Sequence, residues 1–194
     1  EMSPFLGDTE EDAAFLQSVN TVLARRGRLT GYNTDYAAVR AILRKKTAIR
    51  GKDAIVLGTG ATATTMAYAA INAGARATIV GRSSRKARAL AARLNCEWAS
   101  FDDLPLLGAR LRARLGGAIV MNGTPVGMAS HPPASPLPRG FLRAGMTVFD
   151  AVYNPPMTML LQEARTTGCE IIPGTELFKE QARLQSKLFL EVLR

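Results

Sequence analysis

Two stretches of the chain carry residues suited to holding a nucleotide. Gly58-Thr59-Gly60-Ala61-Thr62-Ala63 spells G-x-G-x-x-A. The first glycine of such a run permits a tight turn, the second lets backbone approach a pyrophosphate, and the small last residue lets a helix pack closely on a strand. About 20 residues past those glycines, sites selective for NAD place an Asp or Glu to hold the ribose 2′-hydroxyl. Here Gly81, Arg82, Ser83, Ser84, Arg85 and Lys86 stand there instead, with no carboxylate. A carboxylate would repel a 2′-phosphate, whereas guanidinium and hydroxyl groups bind it through charge-assisted hydrogen bonds. The pattern predicts NADP.

Those residues need a strand, a turn and a helix in fixed order. Ala54-Ile55-Val56-Leu57 is short, apolar and β-branched and reads as a buried strand. Residues 62–73 are alanine-rich and stop at Gly74, as a helix with a glycine end does. The free N–H groups and partial positive charge at that helix start suit a phosphate. Ala77 to Val80 is the second strand.

The remaining elements follow the same alternation. Upstream, Val19 to Leu23 and Leu29 to Tyr32 read as short strands around an Arg26-Gly27-Arg28 turn. Gly31-Tyr32-Asn33-Thr34-Asp35 then precedes an amphipathic stretch, Tyr36 to Leu43, for which Thr34 or Asp35 is a candidate cap. Downstream, helices are expected over 84–94, 106–115, 158–167 and 176–193, and strands over 97–100, 118–121, 146–152 and 170–172. Such alternation predicts an α/β fold, a Rossmann-like doubly wound parallel sheet of about six strands. Ligands of these sheets sit beyond the strands' carboxyl ends. That puts Gly58-Thr59-Gly60, Arg82, Asn122 to Met128, Tyr153 and Gly174 on one rim.

Composition narrows the function classes. The 194 residues are 47% hydrophobic, enough for a sizeable core. Cys96 and Cys169 form no C-x-x-C and read as buried free thiols in a reducing, cytoplasmic compartment. The only histidine, His131, lies in a loop-like His-Pro-Pro run, so neither a Ser-His-Asp triad nor a His-ligated metal is expected. No apolar stretch approaches the roughly 18 residues of a membrane span, and no signal peptide is visible. The net charge of +9 is dispersed, without aromatic interleaving, and reads as solvated faces rather than a nucleic-acid surface.

Several segments, in order, resemble shikimate dehydrogenase. Ser18-Val19-Asn20-Thr21-Val22 is similar to the family's V-N-T segment and Gly31 to Asp35 to its G-x-N-T-D. Gly58 to Ala63 resembles G-x-G-G-A, Gly81-Arg82-Ser83 resembles N-R-T, and Asn122 to Met128 resembles N-A-T-P-x-G-M. Asp150 to Leu161 is similar to D-x-x-Y-x-P-x-x-T-x-L-L, and Gly174 to Gln181 to G-x-x-M-L-x-x-Q. The resemblance implies reduction of 3-dehydroshikimate to shikimate with NADPH, in aromatic amino-acid biosynthesis. It implies that Asn20, Asp35, Tyr153 and Gln181 bind the small-molecule substrate. Asp35 would also work with a lysine in proton transfer. Gly58, Gly60, Ala61, Thr62, Ala63, Gly81 and Thr124 would contact cofactor, Arg82, Ser83 and Lys86 its 2′-phosphate, and Ala151 and Gly174 its nicotinamide, where a side chain at 174 would crowd the ring.

The departures shape the expectation as much as the matches. Ala61 replaces a glycine, Gly81 an asparagine and Leu177 a methionine, and Lys179 stands where an apolar residue is usual. The family's catalytic lysine and paired serines precede the segment that Glu1 to Leu6 resembles, and Lys45 and Lys46 lie past a helix. The expected organisation is therefore a remnant of a substrate-binding domain (1–32), an NADP-binding domain (33–175) and a terminal helix packing back (176–194), cut from a longer chain with other pathway domains possible upstream. Two alternatives stay open: a non-catalytic nucleotide-binding module, and a dehydrogenase of quinate or an aminoshikimate.

Overall fold

A computed structural model describes residues 6–112, 117–130 and 133–192. The chain opens with β1 (Asp8–Thr9), α1 (Glu11–Leu16), β2 (Thr21–Arg25), β3 (Arg28–Tyr32) and α2 (Thr34–Lys46). It continues through β4 (Asp53–Leu57), α3 (Ala61–Asn72), β5 (Arg76–Gly81), α4 (Ser84–Leu94) and β6 (Glu97–Ser100). A 3-10 turn, Phe101–Asp103, leads into α5 (Leu104–Arg112). After it come β7 (Ala118–Asn122), β8 (Thr147–Asp150), α6 (Met159–Thr166), β9 (Glu170–Ile172) and α7 (Gly174–Val192).

The large sheet has six strands in the order β6-β5-β4-β7-β8-β9, every pair parallel. This is the doubly wound order, with its topological switch between β4 and β7. Every residue of β4, β7 and β8 is buried, which explains why these strands read as unbroken apolar runs rather than alternating ones. Alternate side chains still go to opposite faces. Ala54, Val56, Ile119, Met121 and Phe149 join a core with α2, α3, α4 and α7. Ile55, Leu57, Val120 and Val148 join a second core with α5 and α6. A small sheet, β1-β3-β2, flanks the first layer; Gln185 of α7 donates to Thr21 of β2 at 3.1 Å.

Several local expectations shift. The strand expected at Val19 starts at Thr21, because Ser18 to Asn20 form a connection to which the Asn33 amide bonds through Ser18 O at 2.9 Å. The fifth strand of the large sheet ends at Asp150, not Val152, where the Val152 N–H turns back to the Asp150 carboxylate at 3.0 Å. The terminal helix starts at Gly174, two residues early. β1 and α1 were not expected at all; six residues make too short a periodic signal. Lys45 and Lys46 are in the last turn of α2 rather than past it, where their charge opposes the negative end of the helix dipole. Cys96 and Cys169 are free but half-buried rather than buried. His131 and the end of the helix expected over 106–115 lie outside the described residues. Among the described residues no helix is long and apolar enough to cross a membrane.

Candidate functional site

Strand order converts the scattered motifs into one rim. Read across the sheet, the residues just past β5, β4, β7, β8 and β9 are Arg82, Gly58, Gly123, Ala151 and Pro173-Gly174. A cleft of about 530 Å³ opens along part of that rim. Asp35, Thr62, Thr124, Ala151, Tyr153, Gly174 and Gln181, all expected from sequence, line it. Asn20 and the residues at the β5 end do not.

The glycine turn is tightly built. Gly58 has φ +109°, a conformation that side chains rarely adopt, and its N–H donates to Val80 O at 2.7 Å. A Cβ on Gly123 would stand 2.6 Å from Ala63 Cα, so the β7 loop lies directly on the first turn of α3. That contact is what the small third position, Ala63, permits. Gly60 caps α3 without any side-chain hydrogen bond, and nothing lies within 4 Å of a Cβ built there. The helix start is thus open to an anion.

The basic end of the rim is equally accessible. Arg82 and Lys86 are exposed, and Arg82 has no ion-pair partner among the described residues. Ser83 caps α4, its hydroxyl accepting from Lys86 N–H at 3.4 Å. Ala61 and Thr62 are exposed on the first turn of α3.

At the opposite end, Asn33 rather than Thr34 or Asp35 caps α2, accepting from Tyr36 N–H at 2.9 Å. Asp35 is released from that duty and faces the cleft from the helix's first turn. Burial pushes its carboxyl above the usual range, and a hydrogen bond from the Asn20 side chain pulls it partly back. The Asn20 carbonyl oxygen accepts from Thr34 N–H at 2.9 Å and Thr34 Oγ1 at 3.1 Å. Asn20 therefore sits beside Asp35 and ties the start of β2 to the start of α2. Tyr153 stacks on Phe178, ring centroids 5.1 Å apart, and stays half exposed.

Beneath the rim lies a buried polar knot. Asp150 and Asn122 are each 0% exposed. Asp150 accepts from Thr158 Oγ1 at 2.6 Å, Asn122 Nδ2 at 2.9 Å and Val152 N–H at 3.0 Å. Asn122 Oδ1 in turn accepts from Thr124 N–H at 3.0 Å and Thr124 Oγ1 at 2.7 Å. The Thr124 hydroxyl is thus engaged inside its own loop. Gly174 needs no cofactor to explain it: a Cβ there would collide with the Val152 and Ala151 carbonyls.

Thr65 and Phe178, which no motif marks, also line the cleft, as does Gly123 from the Asn122 to Met128 segment expected on the rim. Among the described residues no lysine lines the cleft, and Lys46 instead pairs with Glu176 at 3.1 Å.

No family model matches the chain. It is 33% identical over 189 residues to the shikimate dehydrogenase (NADP(+)) of Pyrococcus abyssi, covering 97% of this chain and 67% of that protein. It is 31% identical over 193 residues to the bifunctional 3-dehydroquinate dehydratase/shikimate dehydrogenase of Arabidopsis thaliana, covering 91% of this chain and 31% of that one. The crystal structure of Thermus thermophilus shikimate 5-dehydrogenase, in complex with NADP(H) and shikimate, superposes with a TM-score of 0.82 at 28% identity, over 96% of this chain and 67% of that one. Quinate dehydrogenase from Corynebacterium glutamicum, in complex with NAD, gives the same score and identity over 93% and 65%. By this identity and coverage, and by a superposition over nearly its whole length, the chain belongs to the shikimate dehydrogenase family.

Proposed function

We propose that this chain forms the NADP-binding part, and one wall of the substrate site, of an enzyme that reduces 3-dehydroshikimate to shikimate. The observation that carries the cofactor is the pairing of an open, uncapped α3 start with an unpartnered Arg82 at the next strand end. Gly58, Gly60, Ala61, Thr62 and Ala63 cradle the pyrophosphate and Arg82, Ser83 and Lys86 hold the 2′-phosphate. Ala151 and Gly174 border the nicotinamide, which when bound supplies the hydride.

The chain's own groups then orient substrate. Asp35, its carboxyl raised by burial, accepts a hydrogen bond from a substrate hydroxyl and holds or passes a proton there. Asn20 fixes that carboxyl and reaches substrate from beside it. Tyr153 and Gln181 close the cofactor side of the cleft. In this reading residues 1–32 belong to a substrate-binding domain, 33–175 to the cofactor domain, and 176–194 to a helix bridging them, as the packing of α7 on α2 and β2 supports. The fused plant relative is the precedent for further domains on one polypeptide. Two cysteines that stay free fit a cytoplasmic setting.

Likeness to a quinate dehydrogenase in complex with NAD supports a second reading, with quinate as substrate and NAD as cofactor. Titrating the chain with NADPH and NADH separates the two. NADPH is expected to bind more tightly, and Arg82→Ala to lower that affinity about 10- to 100-fold, as loss of a charged hydrogen bond does, while NADH binding holds. Equal affinities for the two dinucleotides would overturn the NADP reading.

A further inference from the structure

Resting on that NADP reading, we propose that Thr59 is a further specificity residue: its hydroxyl reaches the 2′-phosphate from the glycine turn, replacing a polar side chain at the end of β5. The turn is stitched to that strand by the Gly58 N–H bond to Val80 O at 2.7 Å. Thr59 thereby lies against Gly81, its Cγ2 only 2.8 Å from where a Cβ at 81 would stand. Real Cβ atoms do not approach so closely, so Thr59 itself keeps position 81 a glycine. Ala87 Cβ, at 3.1 Å from the same point, is the only other tight neighbour and can give by a few tenths of an ångström.

With position 81 bare, Thr59, packed against that position, is a neutral polar residue from outside the basic loop that stands at the β5 end. The Ser83 hydroxyl accepts from Lys86 N–H in capping α4 and keeps its own proton for the phosphate, so Thr59 would act beside it. Thr59 is half-buried, yet its hydroxyl has no hydrogen-bond partner among the described residues. A half-buried hydroxyl without a partner, on a residue packed against the position that precedes Arg82, is a donor available to an anion at that strand end. Its methyl group meanwhile fills the space the strand end leaves empty.

The test is a titration series on the full chain with NADPH, NADH and 2′,5′-ADP. Thr59→Val keeps shape and removes the hydroxyl, and it is expected to weaken NADPH and 2′,5′-ADP about tenfold with NADH unchanged; Thr59→Ser is expected to bind as wild type. Gly81→Ser alone should collide with the Thr59 methyl and lose affinity. The pair Thr59→Ala with Gly81→Ser moves the hydroxyl to the strand end and should recover most of it. Wild-type affinity in Thr59→Val, or a double variant no better than Gly81→Ser, would overturn the assignment while a large Arg82→Ala effect leaves the NADP reading standing. No preference for NADPH in the wild type would overturn both.

Discussion

Thr158→Val isolates the polar knot that holds the rim together. Thr158 is 1% exposed, donates to the Asp150 carboxylate at 2.6 Å and caps α6 by accepting from Leu161 N–H at 3.3 Å. Valine fills the same volume, so no cavity term enters. Loss of a hydrogen bond to a charged group costs about 1.5–3 kcal/mol and loss of an N-cap about 1 kcal/mol, together about 3 kcal/mol. For a protein of this size that is a fall in Tm of about 6–12 °C. The pH dependence is the sharper part. Burial already raises the Asp150 carboxyl above its ordinary 3.8, against the lowering effects of Thr158, Val152 and Asn122. Removing the strongest of those donors raises it further. A carboxyl raised on folding binds its proton more tightly in the native state, so its contribution is fully present below the unfolded value and is lost as pH rises through the folded one. The deficit of Thr158→Val is therefore largest near neutral pH and shrinks as pH falls towards 3.8. Urea denaturation of both proteins across that range, at unchanged m, measures it. A deficit independent of pH, or one below about 0.5 kcal/mol, would refute the reasoning that an ionised Asp150 depends on Thr158.

Gly123→Ala places a Cβ 2.6 Å from Ala63 Cα and 2.7 Å from Ala63 N, and since backbone cannot yield as a side chain does, a loss of about 1–3 kcal/mol together with weaker NADPH binding is expected; normal melting and normal affinity would discard the contact. Asp35→Asn removes a carboxylate that burial disfavours. By the same linkage it should gain stability relative to wild type as pH rises above 3.8 and none below, in parallel denaturation curves, with turnover depressed in a catalytically complete chain. A stability difference that does not change with pH would show Asp35 to be unperturbed.

The turn, the helix start and the basic strand end were legible because their physics is local. A tight turn, an open helix start and a basic strand end occupy the short stretch from Gly58 to Lys86, and each residue type is dictated by its own backbone or charge. The substrate half was less so: by residue type alone Asp35 suits a helix cap as well as a functional carboxylate, and only the motif around it favours the second; in the fold Asn33 takes the cap of α2. Gly174 has a packing reason that no local pattern carries, since a Cβ there would meet the Val152 carbonyl.

Apolar runs and glycine punctuation along the chain were enough to determine a doubly wound sheet, a tight glycine turn and a basic strand end beside it, because strand periodicity and φ > 0 turns are properties of neighbouring residues. Which carboxyls stay charged, why Gly81 and Gly123 must be glycines, and how Asn122, Asp150 and Thr158 brace one rim were decided only by packing. Those constraints arise between segments tens of residues apart, and they come into being when the parallel strands stack side by side.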